Sequence, residues 1–142
     1  MSQYILDTDC VTLFQNDHPV LVARVNANRP DVAVTIITVE EQIRGRFNVI
    51  RRTSQASQLE LLKAAYRNLE KTLEFFCRIK LLNFSDDAAA IYTDLRRQKI
   101  RIGTQDLRIA SIALAAEGGV LITRNRRDFS QVPGLAFEDW TV

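Results

Sequence analysis

Val32-Ala33-Val34-Thr35-Ile36-Ile37 is dominated by β-branched residues and is apolar on both faces at most positions, the pattern of a parallel strand covered on each side. Thr38-Val39-Glu40-Glu41 follows without a break. It reads as a capping box, with Thr38 as the cap and Glu41 three residues on, opening a helix that reaches about Phe47. A buried strand passing straight into a helix is the unit from which parallel α/β sheets are built.

The flanking sequence repeats that unit. Upstream, Tyr4-Ile5-Leu6 is a short apolar run halted by Asp7-Thr8-Asp9, and Asp9 is placed to cap a helix beginning near Val11. Pro19, suited to a first helical turn, opens a second helix through Ala27. Downstream, Leu59, Leu62, Tyr66, Leu69, Leu73 and Phe76 recur at three- and four-residue spacing between Ser54 and Ile79. That spacing predicts a long helix with a core-facing or hairpin face, or alternatively a coiled-coil seam. Lys80 to Phe84 reads as a strand, Ser85-Asp86-Asp87 as the cap of a helix with Ala88, Ile91, Tyr92 and Leu95 inward, and Thr104 as the cap of another carrying Leu107, Ala110, Ile112 and Leu114. Gly118-Gly119 ends that helix, Val120 to Thr123 is a further strand, and Leu135-Ala136-Phe137 is a short last one. The expectation is a single domain, residues 1–142. It is an α/β fold, a three-layer α/β/α sandwich around a central parallel sheet of four to five strands, with ligands beyond the carboxyl ends of those strands.

Composition narrows the chemistry. With 142 residues, 46% hydrophobic and 25% charged, the chain has ordinary globular usage, which excludes wholesale disorder and fibrous repeats. A formal net charge of +2 is too small to identify a nucleic-acid partner by itself. Cys10 and Cys77 form no CxxC pair, and the single histidine, His18, lies in a turn-like Asn16-Asp17-His18-Pro19 that suits a surface residue. Zinc sites of His and Cys and histidine-based nucleophilic sites are therefore disfavoured. There is no apolar run of membrane-spanning length and no signal-peptide pattern, so a cytoplasmic protein is expected.

The acids are placed more tellingly than their number suggests. Asp7 follows the first strand, Glu41 the second, Asp128 the strand ending at Thr123, and Asp106 opens the helix leading into that strand. Singly, each suits a cap or a turn. Together, a parallel sheet brings them to one cleft, where carboxylates repel unless a cation joins them. Hard oxygen donors without His or Cys select Mg²⁺ or Mn²⁺, which acidify water and offset charge on a phosphoryl oxygen. Basic residues gather at Arg44, Arg46, Arg51 and Arg52; at Arg96, Arg97, Lys99 and Arg101; and at Arg124, Arg126 and Arg127. Arginines around an acidic centre suit a nucleic-acid phosphodiesterase, though each cluster equally suits a solvated face.

Five blocks carry a resemblance: Tyr4-Ile5-Leu6-Asp7-Thr8-Asp9, Thr38-Val39-Glu40-Glu41-Gln42-Ile43-Arg44-Gly45, Ile102-Gly103-Thr104-Gln105-Asp106-Leu107-Arg108-Ile109-Ala110, Leu121-Ile122-Thr123-Arg124-Asn125-Arg126-Arg127-Asp128-Phe129, and Val132-Pro133-Gly134-Leu135 with Glu138-Asp139-Trp140. In this order they resemble PIN-domain ribonucleases, specifically the VapC toxins of toxin-antitoxin pairs. The resemblance implies a Mg²⁺- or Mn²⁺-dependent endoribonuclease with catalytic Asp7, Glu41, Asp106 and Asp128, the first three holding metal. Thr8, Asp9, Thr38, Thr123 and Asn125 would support the site, and Arg44, Arg46, Arg124 and Arg126 would bind RNA. It further implies a homodimer and a cognate antitoxin. Gln42 stands where the family usually has an apolar residue. Asn125 stands where many members place a fourth acid, so the fourth position falls to Asp128 or Asn125, and one metal or two remain alternatives.

Two other readings compete. Asp7-Thr8-Asp9-Cys10-Val11 resembles the opening motif of haloacid-dehalogenase-like phosphatases, with Asp7 as nucleophile and Asp9 as acid/base, but no GDxxxD follows. The other is a catalytically silent PIN-like module that only binds RNA or protein.

Overall fold

The computed structural model describes residues 1–55 and 57–142. Among them, strands β1 (Gln3–Leu6), β2 (Val32–Thr35), β3 (Lys80–Leu82), β4 (Gly119–Ile122) and β5 (Phe137–Glu138) form one sheet in the order β3-β2-β1-β4-β5, every pairing parallel. The helices are α1 (Thr8–Gln15), α2 (Pro19–Ala27), α3 (Ile36–Gln55), α4 (Leu59–Cys77), α5 (Asp86–Arg97), α6 (Thr104–Ala115) and α7 (Arg126–Phe129). Successive strand residues point to opposite faces. Ile5 and Leu121 therefore pack with Ala88, Leu95, Ile109 and Ala113 of α5 and α6. Leu6, Val34 and Ile122 pack with Val11, Leu21 and Val25 of α1 and α2 and with Trp140. This is the expected three-layer α/β/α sandwich, with five strands. No helix among the described residues is long and apolar enough to cross a membrane.

Several boundaries differ from the sequence expectation, and the differences concern who caps whom. Asp7, not Asp9, caps α1: its carboxylate accepts from the Cys10 backbone N–H at 2.8 Å, so the helix begins at Thr8 and Asp9 lies in its first turn. The β-branched run also ends early. Thr35 Oγ1 accepts from the Thr38 N–H at 3.3 Å, which starts α3 at Ile36 and places Thr38 inside the first turn rather than at the cap. Gly103, not Thr104, stands at the start of α6. The last strand is Phe137–Glu138 rather than Leu135 to Phe137, because a turn at Val132 to Leu135, with Gly134 at φ +78°, precedes it. His18 is no idle surface residue: its Nδ1 accepts from the Leu21 N–H at 3.3 Å and caps α2.

The long helices form a hairpin. α3 continues past Phe47 to Gln55 because α4 lies against it, joined by the Arg46 Nε donation to Thr72 Oγ1 at 2.9 Å. α4 begins at Leu59 rather than Ser54, and Ala56, within the expected span, lies outside the described residues. Its expected inner face is only partly inward. Small Ala65 and Thr72 are buried, whereas Leu59, Tyr66 and Leu73 are 68%, 54% and 50% exposed. Small side chains let the helix axes approach, and the larger apolar ones are left outside.

The C-terminal segment closes one core layer: Trp140 is 1% exposed, packs against Tyr4 with the rings tilted at 52° and their centroids 5.0 Å apart, and donates its indole N–H to Glu138. Trp140→Ala should lower unfolding free energy by about 3–5 kcal/mol in urea denaturation. Val142→Ala, at a residue 85% exposed, should change it by less than about 0.5 kcal/mol.

Candidate active site

The strand order reverses at β1, with β2 and β3 on one side and β4 and β5 on the other. Such a switch leaves a crevice beyond the carboxyl ends of the two strands where the winding diverges, here β1 and β4. The Asp7 N–H donates to Ile122 O at 3.0 Å and ties the two ends together. A cavity of about 420 Å³ opens there, lined by Asp7, Thr8, Asp9, Asp106, Arg124 and Asn125.

Asp7 is the buried member. Burial pushes its carboxyl pKa up, opposed by hydrogen bonds from Thr123 and Cys10. Asp106, in the first turn of α6, is pushed up to about 6 by burial and then by the charges of Asp7, Glu41 and Asp128. The fold thus brings Asp7, Glu41 and Asp128 within electrostatic reach of Asp106. None of the four pairs with a basic side chain among the described residues.

The supporting residues hold these acids in place. Thr8 Oγ1 donates to Glu41 Oε1 at 2.6 Å and lies 2.9 Å from Thr38 Oγ1. Since Thr8 has one hydroxyl hydrogen and gives it to Glu41, Thr38 must donate to Thr8. A buried hydroxyl on α3 therefore orients, through α1, a carboxylate one turn further along α3. Asn125 donates to Asp128 Oδ2 at 3.0 Å and accepts from the Asp128 N–H at 3.3 Å, while its own N–H donates to Thr123 Oγ1 at 3.0 Å. Asn125 lines the cavity; Asp128 supplies the charge that Asp106 senses.

The expected RNA-binding arginines are distributed unevenly. Arg124 donates through Nε and Nη2 to Asp9 at 2.6 and 3.2 Å. Arg44 pairs with Glu40, Arg46 bonds Thr72, and Arg126 is exposed at the start of α7. Sequence reading missed a second, polar cavity of about 690 Å³ that shares Thr8 with the first, is lined by Glu41, and continues past Gln15, Gln42, Arg46, Asn68 and Lys71. Gln42 and Gln15 exchange amide hydrogen bonds at 2.9 Å, so the polar residue at position 42 has a polar partner on α1. Lys71 and Asn68 carried no sequence signal, because only the hairpin brings α4 to this groove.

These donors fit a hard divalent cation. Their oxygens are unneutralised, and Asp106, raised first by burial and then by its neighbours' charges, carries the penalty that a cation relieves. Donor atoms of Asp7, Asp9 and Cys10 also lie within 4.8 Å of one another. The buried Cys10 thiol is pushed up by burial and by Asp7, and a hard cation takes the carboxylate oxygens in preference to sulfur.

A model of the PIN domain family matches residues 4–135. The tRNA(fMet)-specific endonuclease VapC of Salmonella typhimurium is 31% identical, with 99% of each chain covered. Ribonuclease VapC2 of Rickettsia felis is 28% identical, covering 96% of this chain and 97% of its own. Among solved structures, the DNA-bound VapBC from Salmonella typhimurium gives a TM-score of 0.77 at 29% identity, with 99% of both chains covered. VapBC-1 from nontypeable Haemophilus influenzae gives 0.71 at 29% identity over 98% of each chain.

The elevated Asp106 makes metal-free stability depend on pH. Its folded pKa of about 6 exceeds the ordinary 3.8, so between these values the folded protein holds more protons than the unfolded chain. The contribution is fully present below about 3.8 and is lost as pH rises through about 6. In urea melts with EDTA, this part of the stability gain on acidification from pH 7.5 to pH 4.5 should disappear in Asp106→Asn.

Proposed function

We propose, from the premise that this chain belongs to the PIN-domain family and is a VapC-like ribonuclease, that it cleaves RNA as an endonuclease using Mg²⁺ or Mn²⁺ held by Asp7, Glu41 and Asp106, with Asp128 as the fourth acid. The observation that carries this reading is the convergence on Asp106 of three further carboxylates, none of the four having a basic partner among the described residues.

When bound, the cation supplies the positive charge that offsets charge developing on a phosphoryl oxygen and makes nearby water more acidic. The chain supplies position. Thr8 donates to Glu41 Oε1, so Oε2 would be the oxygen available to hold the cation or accept a proton. Asn125 fixes Asp128, and Thr123 and the Cys10 N–H fix Asp7. RNA would lie along the polar groove and into the adjoining cavity, its phosphates near Arg46 and Lys71 in the groove and near Arg124 in the cavity, with Arg126 exposed two residues on.

A homodimer and a cognate antitoxin are part of the proposal, with action in the cytoplasm where RNA and antitoxin meet. The Salmonella relative was solved as a VapBC complex on DNA. The exposed apolar stripe of Leu59, Tyr66 and Leu73 offers surface for such contacts. The phosphatase alternative loses its acid/base, since both Asp9 oxygens are held by Arg124. The silent-module alternative is separated by activity: RNA binding without cleavage in Mg²⁺ or Mn²⁺ would select it.

RNA cleavage should require Mg²⁺ or Mn²⁺, and Glu41→Gln should fall to the level seen in EDTA. Persistence of wild-type cleavage in that variant would remove Glu41 from the site. Thr8→Val, which keeps the shape but cannot donate to Glu41, should cost about 10–100-fold in activity or metal affinity. RNA affinity should fall steeply with salt, and Arg126→Ala should flatten that dependence without moving the cleavage position.

A further inference from the structure

The charge in and around the catalytic cavity is asymmetric. Asp106 senses Asp7, Glu41 and Asp128, and none of these acids is neutralised by a basic side chain among the described residues. On the other side of Asp7, Asp9 is neutralised through both oxygens, by Arg124 Nε on Oδ2 at 2.6 Å and Nη2 on Oδ1 at 3.2 Å. The pair joins residues 115 positions apart. It links the first turn of α1 to the loop after β4, across the crevice that the topology opens. Both residues line the same cavity as Asp7 and Asp106. Donor oxygens of Asp7 and Asp9 approach within 4.8 Å, close enough to share one cation.

We infer that the Arg124 guanidinium, held by Asp9, is a built-in cation standing where Asp7 and Asp9 would otherwise take a second divalent ion, so that this chain binds one metal ion per site rather than two. The inference rests on the preceding reading of the acids as a metal centre and settles its stoichiometry. A divalent ion entering between Asp7 and Asp9 would have to displace the guanidinium from both Asp9 oxygens and remain beside that positive charge. On the Asp106 side it meets carboxylates without such a competitor.

A guanidinium has five N–H donors and two are spent on Asp9. Three remain for the oxygens of a bound phosphate, so Arg124 would meet the substrate directly while Asp9 acts as the positioning residue. Arginine suits this place because it stays charged at every working pH and its planar fork fits a carboxylate and a phosphate together.

Counting bound Mn²⁺ on the full-length protein tests this without reference to activity. Calorimetric titration with Mn²⁺ and paramagnetic resonance of the free ion should give one ion per chain for the wild type and two for Arg124→Ala. Arg124→Met, which keeps the aliphatic stem, should also bind two and guards against a local collapse in the alanine variant. The double variant Asp9→Asn/Arg124→Ala should return to one, because the released carboxylate is gone. Arg124 and Asp9 side chains are 50% and 48% exposed, so the variants should melt as the wild type does. Two ions on the wild type, or one on both single Arg124 variants, would overturn the inference and leave the metal-centre reading intact. No ion on the wild type would instead overturn the metal centre itself.

Discussion

Like charges held together are the constraint around which this molecule is organised. Asp7, Glu41, Asp106 and Asp128 come from four separate parts of the chain, and the other three, added to burial, raise the energy of ionised Asp106. No basic side chain among the described residues pairs with them. What keeps them in place is therefore structural. Asp7 is locked by a backbone N–H it caps, Glu41 by the Thr8 and Thr38 hydroxyls, Asp128 by the Asn125 amide, and Asp106 by the first turn of α6, whose exposed N–H groups favour negative charge. Core layers on both sheet faces offset the cost. Burial and like charge thus leave Asp106 destabilised when ionised in the folded state, as a site proposed for a hard cation would be.

The α3–α4 hairpin adds a second level. Its close approach depends on small Ala65 and Thr72 facing inward and on Arg46 reaching Thr72. The same approach produces the polar groove running away from Glu41 and leaves large apolar side chains of α4 on the outside. One packing choice therefore shapes both the path proposed for RNA and the surface offered to partners. Further round α3, Glu40 accepts from Arg44 and from Gln105, whose own Oε1 accepts from Arg108. Arg108 and Arg96 then both lie against the Tyr92 ring, so much of the positive charge near α3, α5 and α6 is engaged within the fold.

The amino-acid sequence by itself determined the class of the fold and placed carboxylates at its strand ends. The doubly covered strand at Val32, the alternation of apolar runs with helical periodicity, and acids at successive strand ends suffice for a parallel α/β sheet with carboxylates at one rim, because side-chain period and the succession of elements along the chain are local properties. Five ordered blocks were enough for the family. Cap assignments were less legible. Asp7 and Asp9, Thr35 and Thr38, and Gly103 and Thr104 are neighbours of similar chemistry, and which becomes the cap depends on where the strand or loop before it ends. Tertiary structure alone decided the partners. That Arg124 holds Asp9, that Arg46 holds Thr72, that Thr8 bridges Thr38 and Glu41, and that Lys71 joins the groove all depend on segments far apart in the chain. Charge and hydrogen-bonding capacity can be read from a residue's type, but the side chain that satisfies them is fixed only by the packing of the sheet and helices.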